Sequence, residues 1–156
     1  MRTYADSSFI LRLVTGEADS PATIAEYRSL QSPKLFFLPL HTLEVRNAIL
    51  QRAFYQRHSM SSGERQNVAR ERGTALARLE RLIDRGALVE ITLDMEGVTT
   101  RATHLSIAHT ERVGARAIDL LHVASALMLE SEIFLTTDTR QAQLAKAEGL
   151  KVVSIG

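Results

Sequence analysis

The chain reads as an α/β protein: a three-layer α/β/α sandwich around a mainly parallel, five-stranded sheet. Two observations predict this. Short apolar runs recur along the sequence, and amphipathic stretches of helical period separate them, which is the pattern of βαβ units. A third observation concerns chemistry: Asp6, Glu44, Asp119 and Asp138 each fall where a strand ends or a helix begins.

The elements follow in order. Arg2 to Ala5 reads as the first strand, and a helix through Phe9, Ile10, Leu13 and Val14 follows directly. A second helix opens at Ser20-Pro21, where serine suits a cap and proline the first turn. Leu35 to Leu38 is a short buried strand stopped by Pro39. A third helix runs from about His41 to Gln56, and His58 to Gly63 is a loop. Glu64 to Arg85 carries Leu76, Leu79, Leu82 and Ile83 at helical spacing, with Gly86 as terminator. Leu88 to Ile91 is the third strand. Asp94 caps a helix reaching about His109, and a loop containing Gly114 leads to the apolar helix Asp119 to Glu130. Ile133 to Leu135, a helix from Thr139 to Glu148 closed by Gly149, and a strand from Lys151 to Ser154 complete the chain. No repeat or linker divides it, so residues 1–156 are expected to form one domain.

Composition narrows the function. Apolar residues make up 45% of the chain and charged residues 24%, ordinary values for a globular protein. No apolar run approaches the roughly 18 residues of a membrane span. Asp6 comes too early for a signal peptide, and a chain without cysteine has no disulfides, thiolate zinc sites or cysteine nucleophile. A cytoplasmic location is expected. Sixteen arginines stand against three lysines at a net charge of only +1. Arginine's planar fork suits phosphate oxygens, yet near-neutral charge predicts local rather than broad contact with nucleic acid.

Each carboxylate has a structural reading beside the functional one. Asp6 follows a strand, where open parallel sheets bind ligands, but it would also cap the next helix. Glu44 suits a helix N-terminus, though apolar Leu43, Val45, Ala48 and Ile49 beside it suggest a helix covered on much of its girth. Asp119 opens an almost wholly apolar helix, with His122 one turn away as its polar companion. The structural reading of this pair is an aspartate cap with a histidine packed behind it and satisfied by a carbonyl. Asp138-Thr139-Arg140-Gln141 matches a capping box, with glutamine reaching back to the cap. Together the four acids suit a hard cation, since all-oxygen ligands select Mg²⁺ or Mn²⁺ over zinc. Left without metal, the quartet should repel itself, so Asp119→Asn is expected to raise the metal-free melting temperature. Arg12 and Arg46 are the arginines expected closest to the sheet edge carrying these acids; contact with a substrate backbone is one reading, and a solvated helix face is the favoured one. His41 stands before the Glu44 helix as a weaker supporting group.

At these residues the chain resembles the PIN-domain ribonucleases, most closely the VapC-type toxins of toxin–antitoxin pairs. Three blocks carry the resemblance: Tyr4 to Leu11, Leu43 to Ala48, and Ala117 to Ala126, the last continuing through Phe134 to Asp138 and Ala147 to Val152. The resemblance implies that Asp6, Glu44, Asp119 and Asp138 form the catalytic, metal-binding acidic quartet, with Thr136 as a supporting hydroxyl; Ser8, read from its place beside Asp6, is a second hydroxyl that suits either a metal-bound water or the turn. It implies Mg²⁺ (or Mn²⁺) as cofactor and RNA as substrate, cleaved by a metal-activated water. It also implies a small antitoxin as partner and a homodimer. The segment 58–116 matches only as generic helices, and its long helix is larger than in compact members. A catalytically silent PIN-like module that binds RNA or protein is the alternative. A receiver or an aspartyl phosphatase fits less well, since Ser8 stands where such a phosphatase has its second aspartate.

Overall fold

The computed structural model describes residues 1–58 and 61–155. Its elements are β1 (Thr3–Ala5), α1 (Ser7–Val14), α2 (Ser20–Ser29), β2 (Leu35–Phe37), α3 (Pro39–His58), α4 (Ser62–Asp84), β3 (Leu88–Glu90), α5 (Met95–Val113), α6 (Ala117–Met128), β4 (Ile133–Thr136), α7 (Thr139–Ala147) and β5 (Lys151–Ser154). The strands form one sheet in the order β3-β2-β1-β4-β5, and every neighbouring pair is parallel. All strand carboxyl ends therefore lie on one edge.

Strand alternation sends side chains to two cores. Ala5, Leu35, Phe37, Ile133 and Leu135 pack with Phe9, Ile10, Ile49 and Leu79 of α1, α3 and α4. Tyr4 and Phe134 face the other way, against Val98, Leu120, Val123 and Leu144 of α5, α6 and α7. Tyr4 stacks on Phe134 at 5.5 Å between ring centroids. Both central strands are buried along their whole length, whereas β5 begins with exposed Lys151. A charged residue on an edge strand discourages further strand pairing.

Several boundaries depart from the sequence reading, each for a local reason. Pro39 starts α3 rather than merely ending β2, because its fixed φ and missing N–H suit a first helical turn. Asp19 takes the cap position of α2, one residue before Ser20. Ser61 precedes α4, and its backbone N–H donates to Glu64, so the helix opens two residues early. The expected loop shrinks accordingly: His58 ends α3 and Ser62 begins α4, while residues 59–60 lie outside the described residues. Helix α5 continues to Val113, where Gly114 adopts φ 68° and closes it. Helix α3 is covered on one face only: Val45 and Ile49 are buried, but Leu43 is 68% exposed.

The junction that matters most is held by His41. Its Nδ1 accepts the Leu38 N–H at 2.9 Å, so the proton sits on Nε2, which donates to the Ala5 carbonyl at 2.9 Å. The fully buried ring thus ties the end of β1 to the turn between β2 and α3. His41 is therefore a structural clamp rather than a group acting on the acids. Burial, aided by the neighbouring His122, lowers its pKa to about 3.

A histidine with a depressed folded pKa contributes stability that is present above its unfolded value and lost on acidification. The window runs from about 6.5 down to about 3. His41→Asn keeps an acceptor for the Leu38 N–H but cannot titrate. Urea denaturation between pH 4 and 6.5 should show the wild-type stability falling more steeply, by up to about 1.4 kcal/mol per pH unit. Parallel pH profiles would mean that another group governs the acid limb.

Candidate metal centre

The strand order reverses between β1 and β4, and such a switch point leaves a crevice beyond the strand ends. Asp6 follows β1 directly, and its N–H continues the ladder to the Leu135 carbonyl at 3.0 Å. Asp6 is fully buried. Its Oδ1 accepts from the Phe9 N–H at 2.9 Å, as a helix cap, and from the Ser8 hydroxyl at 2.7 Å. Its Oδ2 accepts from the Thr136 hydroxyl at 2.6 Å. Both supporting hydroxyls named from the sequence thus converge on one carboxylate. Burial raises the Asp6 pKa, and these hydrogen bonds and nearby His122 only partly oppose it.

Thr136 also receives the Asp138 N–H, at 2.8 Å. One hydroxyl therefore couples the two aspartates at the ends of β1 and β4. Asp138 caps α7, its Oδ1 accepting the N–H groups of Arg140 and Gln141. The expected capping box is incomplete: the Gln141 side chain does not return to the cap but donates to Asp119 Oδ1 at 3.2 Å. Its buried Oε1 has no partner among the described residues.

Asp119 stands in the third residue of α6, not at its cap, because the helix begins at Ala117 and Arg116 takes the cap position. Its fully buried carboxylate accepts the Arg116 N–H at 2.8 Å and two guanidinium contacts at 3.1 and 3.0 Å. The same guanidinium reaches Asp138 Oδ2 at 3.1 Å, and Arg140 lies 3.8 Å from that oxygen. Asp119 is held below the usual carboxylate range: its bonds to Arg116 overcome its desolvation.

Glu44, half-buried on α3, accepts from the Ser7 hydroxyl at 2.8 Å and meets His122 Nε2 at 2.5 Å, both at Oε2. Desolvation would raise its pKa, but these contacts outweigh it and lower it. His122 Nδ1 faces the Tyr4 hydroxyl at 2.8 Å, so the imidazole is held between two side chains and not by a backbone carbonyl. Ser7 Oγ lies 3.3 Å from His122 Nε2. This is not a nucleophilic triad. Glu44 and Ser7 crowd the same ring nitrogen, and the serine proton is directed to the carboxylate.

Arg12 and Arg46 make their ion pairs away from the four acids. Arg12 pairs with Glu17 and Asp19 beyond the far end of α1, and Arg46 pairs with Glu80. The cations at the acids are Arg116 and Arg140, with Gln141 beside them. Their signal was adjacency in sequence to Asp119 and Asp138, but only the crossing of α6 and α7 brings all of them together.

The donor set fits a hard divalent ion in kind: four carboxylates at one edge, two of them already sharing a cation. As they stand, no three acidic or imidazole side chains among the described residues are close enough to hold one ion. Asp119 and Asp138 are turned to Arg116, and Glu44 to His122. Asp6, Asp119, Asp138 and Glu44 could hold the metal once those internal partners give way.

The sequence matches the family model of the PIN domain over residues 3–147. The chain belongs to the PIN-domain family. PIN domains are generally nucleases. Two solved structures share the fold. VapBC2 from Rickettsia felis, bound to a DNA fragment from their promoter, superposes with a TM-score of 0.63 at 12% identity, over 99% of this chain and 98% of that one. FitAcB from Neisseria gonorrhoeae gives 0.61 at 18% identity, over 96% and 95%. No curated protein matches the sequence. No helix among the described residues of this PIN domain is long and apolar enough to cross a membrane.

Two stability tests follow from the internal pairing. Asp119→Asn should lower the metal-free stability, by about 1–3 kcal/mol, because it unpairs Arg116. The sequence alone led to the opposite sign. Urea denaturation in EDTA decides it, and a stabilised variant would mean that repulsion among the acids dominates. Thr136→Val should cost a similar amount, since it strands the Asp138 N–H and one Asp6 oxygen, and a loss under about 0.5 kcal/mol would mean that water replaces the hydroxyl.

Proposed function

We propose that this protein is a divalent-metal-dependent endoribonuclease that hydrolyses RNA phosphodiester bonds, and that it is the toxin of a type II toxin–antitoxin pair. The observation that carries the proposal is the gathering of Asp6, Asp138, Asp119 and Glu44 at the switch point of a PIN fold. Like charges are costly to bring together, and two strand ends and two helices all contribute to this edge.

Asp6 and Asp119 are the firmest ligands in this reading, being fully buried and anchored through both oxygens. Asp138 offers Oδ2, whose only partners among the described residues are guanidinium groups. Glu44 holds a water or a second ion through Oε1, which its contacts with Ser7 and His122 leave free. Thr136 and Ser8 fix the Asp6 carboxylate, and His122 fixes Glu44. A bound Mg²⁺ or Mn²⁺ would supply the charge that acidifies water and offsets the negative phosphate. The guanidinium groups of Arg116 and Arg140 lie at the same edge, and each would bind phosphate oxygens when released from the carboxylates.

A protein partner is supported by the outer face of α3. Leu43, Leu50 and Phe54 are exposed at 68%, 49% and 55%, spaced so that they share one helix face with Asn47. Beside them an apolar groove runs over Leu38, Pro39 and Ile91 towards the same sheet edge as the acids. An exposed apolar patch of this kind marks an interaction surface. In this reading it serves the antitoxin or the second subunit of a homodimer.

The silent binding module is favoured by one observation: Arg116 already neutralises two of the acids. Incubation of end-labelled structured and single-stranded RNAs with Mg²⁺, Mn²⁺ or EDTA separates the two readings. The nuclease should cleave only with metal, and Asp119→Asn or Asp6→Asn should reduce the rate by at least about a hundredfold. Equal cleavage by wild type and both variants would identify a contaminant. RNA binding without any cleavage would favour the silent module.

A further inference from the structure

The geometry points to Arg116 as an internal cation that occupies the Asp119–Asp138 pair and has to leave before a divalent ion can bind both carboxylates. This inference rests on the metal reading above and deepens it. The guanidinium contacts both oxygens of Asp119 and then Oδ2 of Asp138, so one planar cation bridges two acids from different helix starts. A divalent ion drawn to the same oxygens competes for the same lone pairs. Both cannot be satisfied at once, because a carboxylate oxygen wrapped by N–H donors is a poor ligand.

The exchange is mechanically simple. The Arg116 side chain is 53% exposed, so it can swing into solvent without opening the core. Asp119 keeps its place when the guanidinium departs. The Arg116 backbone N–H remains on Oδ2, and the Gln141 amide remains on Oδ1. Asp138 keeps both backbone contacts at Oδ1, which leaves Oδ2 for the metal. Arg140, at 4.0 Å from Asp119 and 3.8 Å from Asp138, is a weaker second cation over the same pair. Released, Arg116 hangs at the rim of the site as a free phosphate-binding group. Metal occupancy is thereby coupled to the presentation of an arginine to substrate.

The test is Mn²⁺ affinity measured by calorimetry on the full chain, without RNA, for wild type and Arg116→Gln. The variant should bind Mn²⁺ about tenfold more tightly or better, since it loses a competing charge-assisted pair. It should also melt lower without metal and gain more from Mn²⁺ than wild type does. Equal or weaker affinity in a folded variant would overturn the proposal while leaving the metal site standing. Mn²⁺ binding to neither protein would overturn the metal reading, and this inference with it. Binding to the variant alone would support both. Should Arg116→Gln fail to fold, wild type gives the answer through the Arg116 Nε–H resonance, followed during Mg²⁺ titration and assigned with Arg116→Lys. Loss of that hydrogen-bonded signal on Mg²⁺ binding is expected, and an unmoved signal at saturating Mg²⁺ would overturn the exchange.

Discussion

Everything at the working edge of this protein depends on how it pays for carboxylates removed from water. Asp6 and Asp119 are both fully buried. An ionised carboxylate in such a place is destabilising unless it is hydrogen-bonded or paired. The chain answers differently at each. Asp6 receives two hydroxyls and a backbone N–H, and burial still drives its pKa upward. Asp119 receives a guanidinium, which lowers its pKa. The two acids are thus held unequally: burial pushes the pKa of Asp6 up, and the bonds from Arg116 hold that of Asp119 down.

The supporting groups are few and each serves two acids or two elements. Thr136 links Asp6 to Asp138. Arg116 links Asp119 to Asp138. His122 links Glu44 to Tyr4, and Tyr4 stacks on Phe134 in the core. His41 fixes the turn from which Glu44 projects. A chain of shared partners therefore runs from the packed sheet to the exposed rim. Disturbing one shared group should be felt at more than one acid, because networks of this sort are not additive.

Internal cations offset part of the charge that four acids bring to one edge. The net charge of the cluster is reduced by Arg116, with Arg140 nearby, and Glu44 rests on His122. Such pairing trades readiness for stability: the oxygens that a metal would need are in use. The toxin–nuclease reading and the silent-module reading differ on this point alone, namely whether those partners yield to a divalent ion.

Much of this was legible in the sequence, and the limit has a physical reason. The alternation of apolar runs and helical stretches determined the α/β class, since strand and helix periods are local properties of the chain. The placement of Asp6 and Asp138 at one edge followed from the rule that parallel strands end together, whereas Thr136 entered only through the resemblance to the PIN-domain ribonucleases. Helix boundaries were read less well, because Pro39, Ser61 and Arg116 act through cap geometry that several neighbouring residues could satisfy. Only the tertiary structure decided which cation meets which acid. Arg12 and Arg46 were the arginines expected closest to that edge, yet each is drawn to acids elsewhere. Arg116 lies 22 residues from Asp138 but bridges to it, as does Gln141 to Asp119. Those contacts exist because α6 and α7 start side by side, and no period or spacing in one chain encodes that crossing.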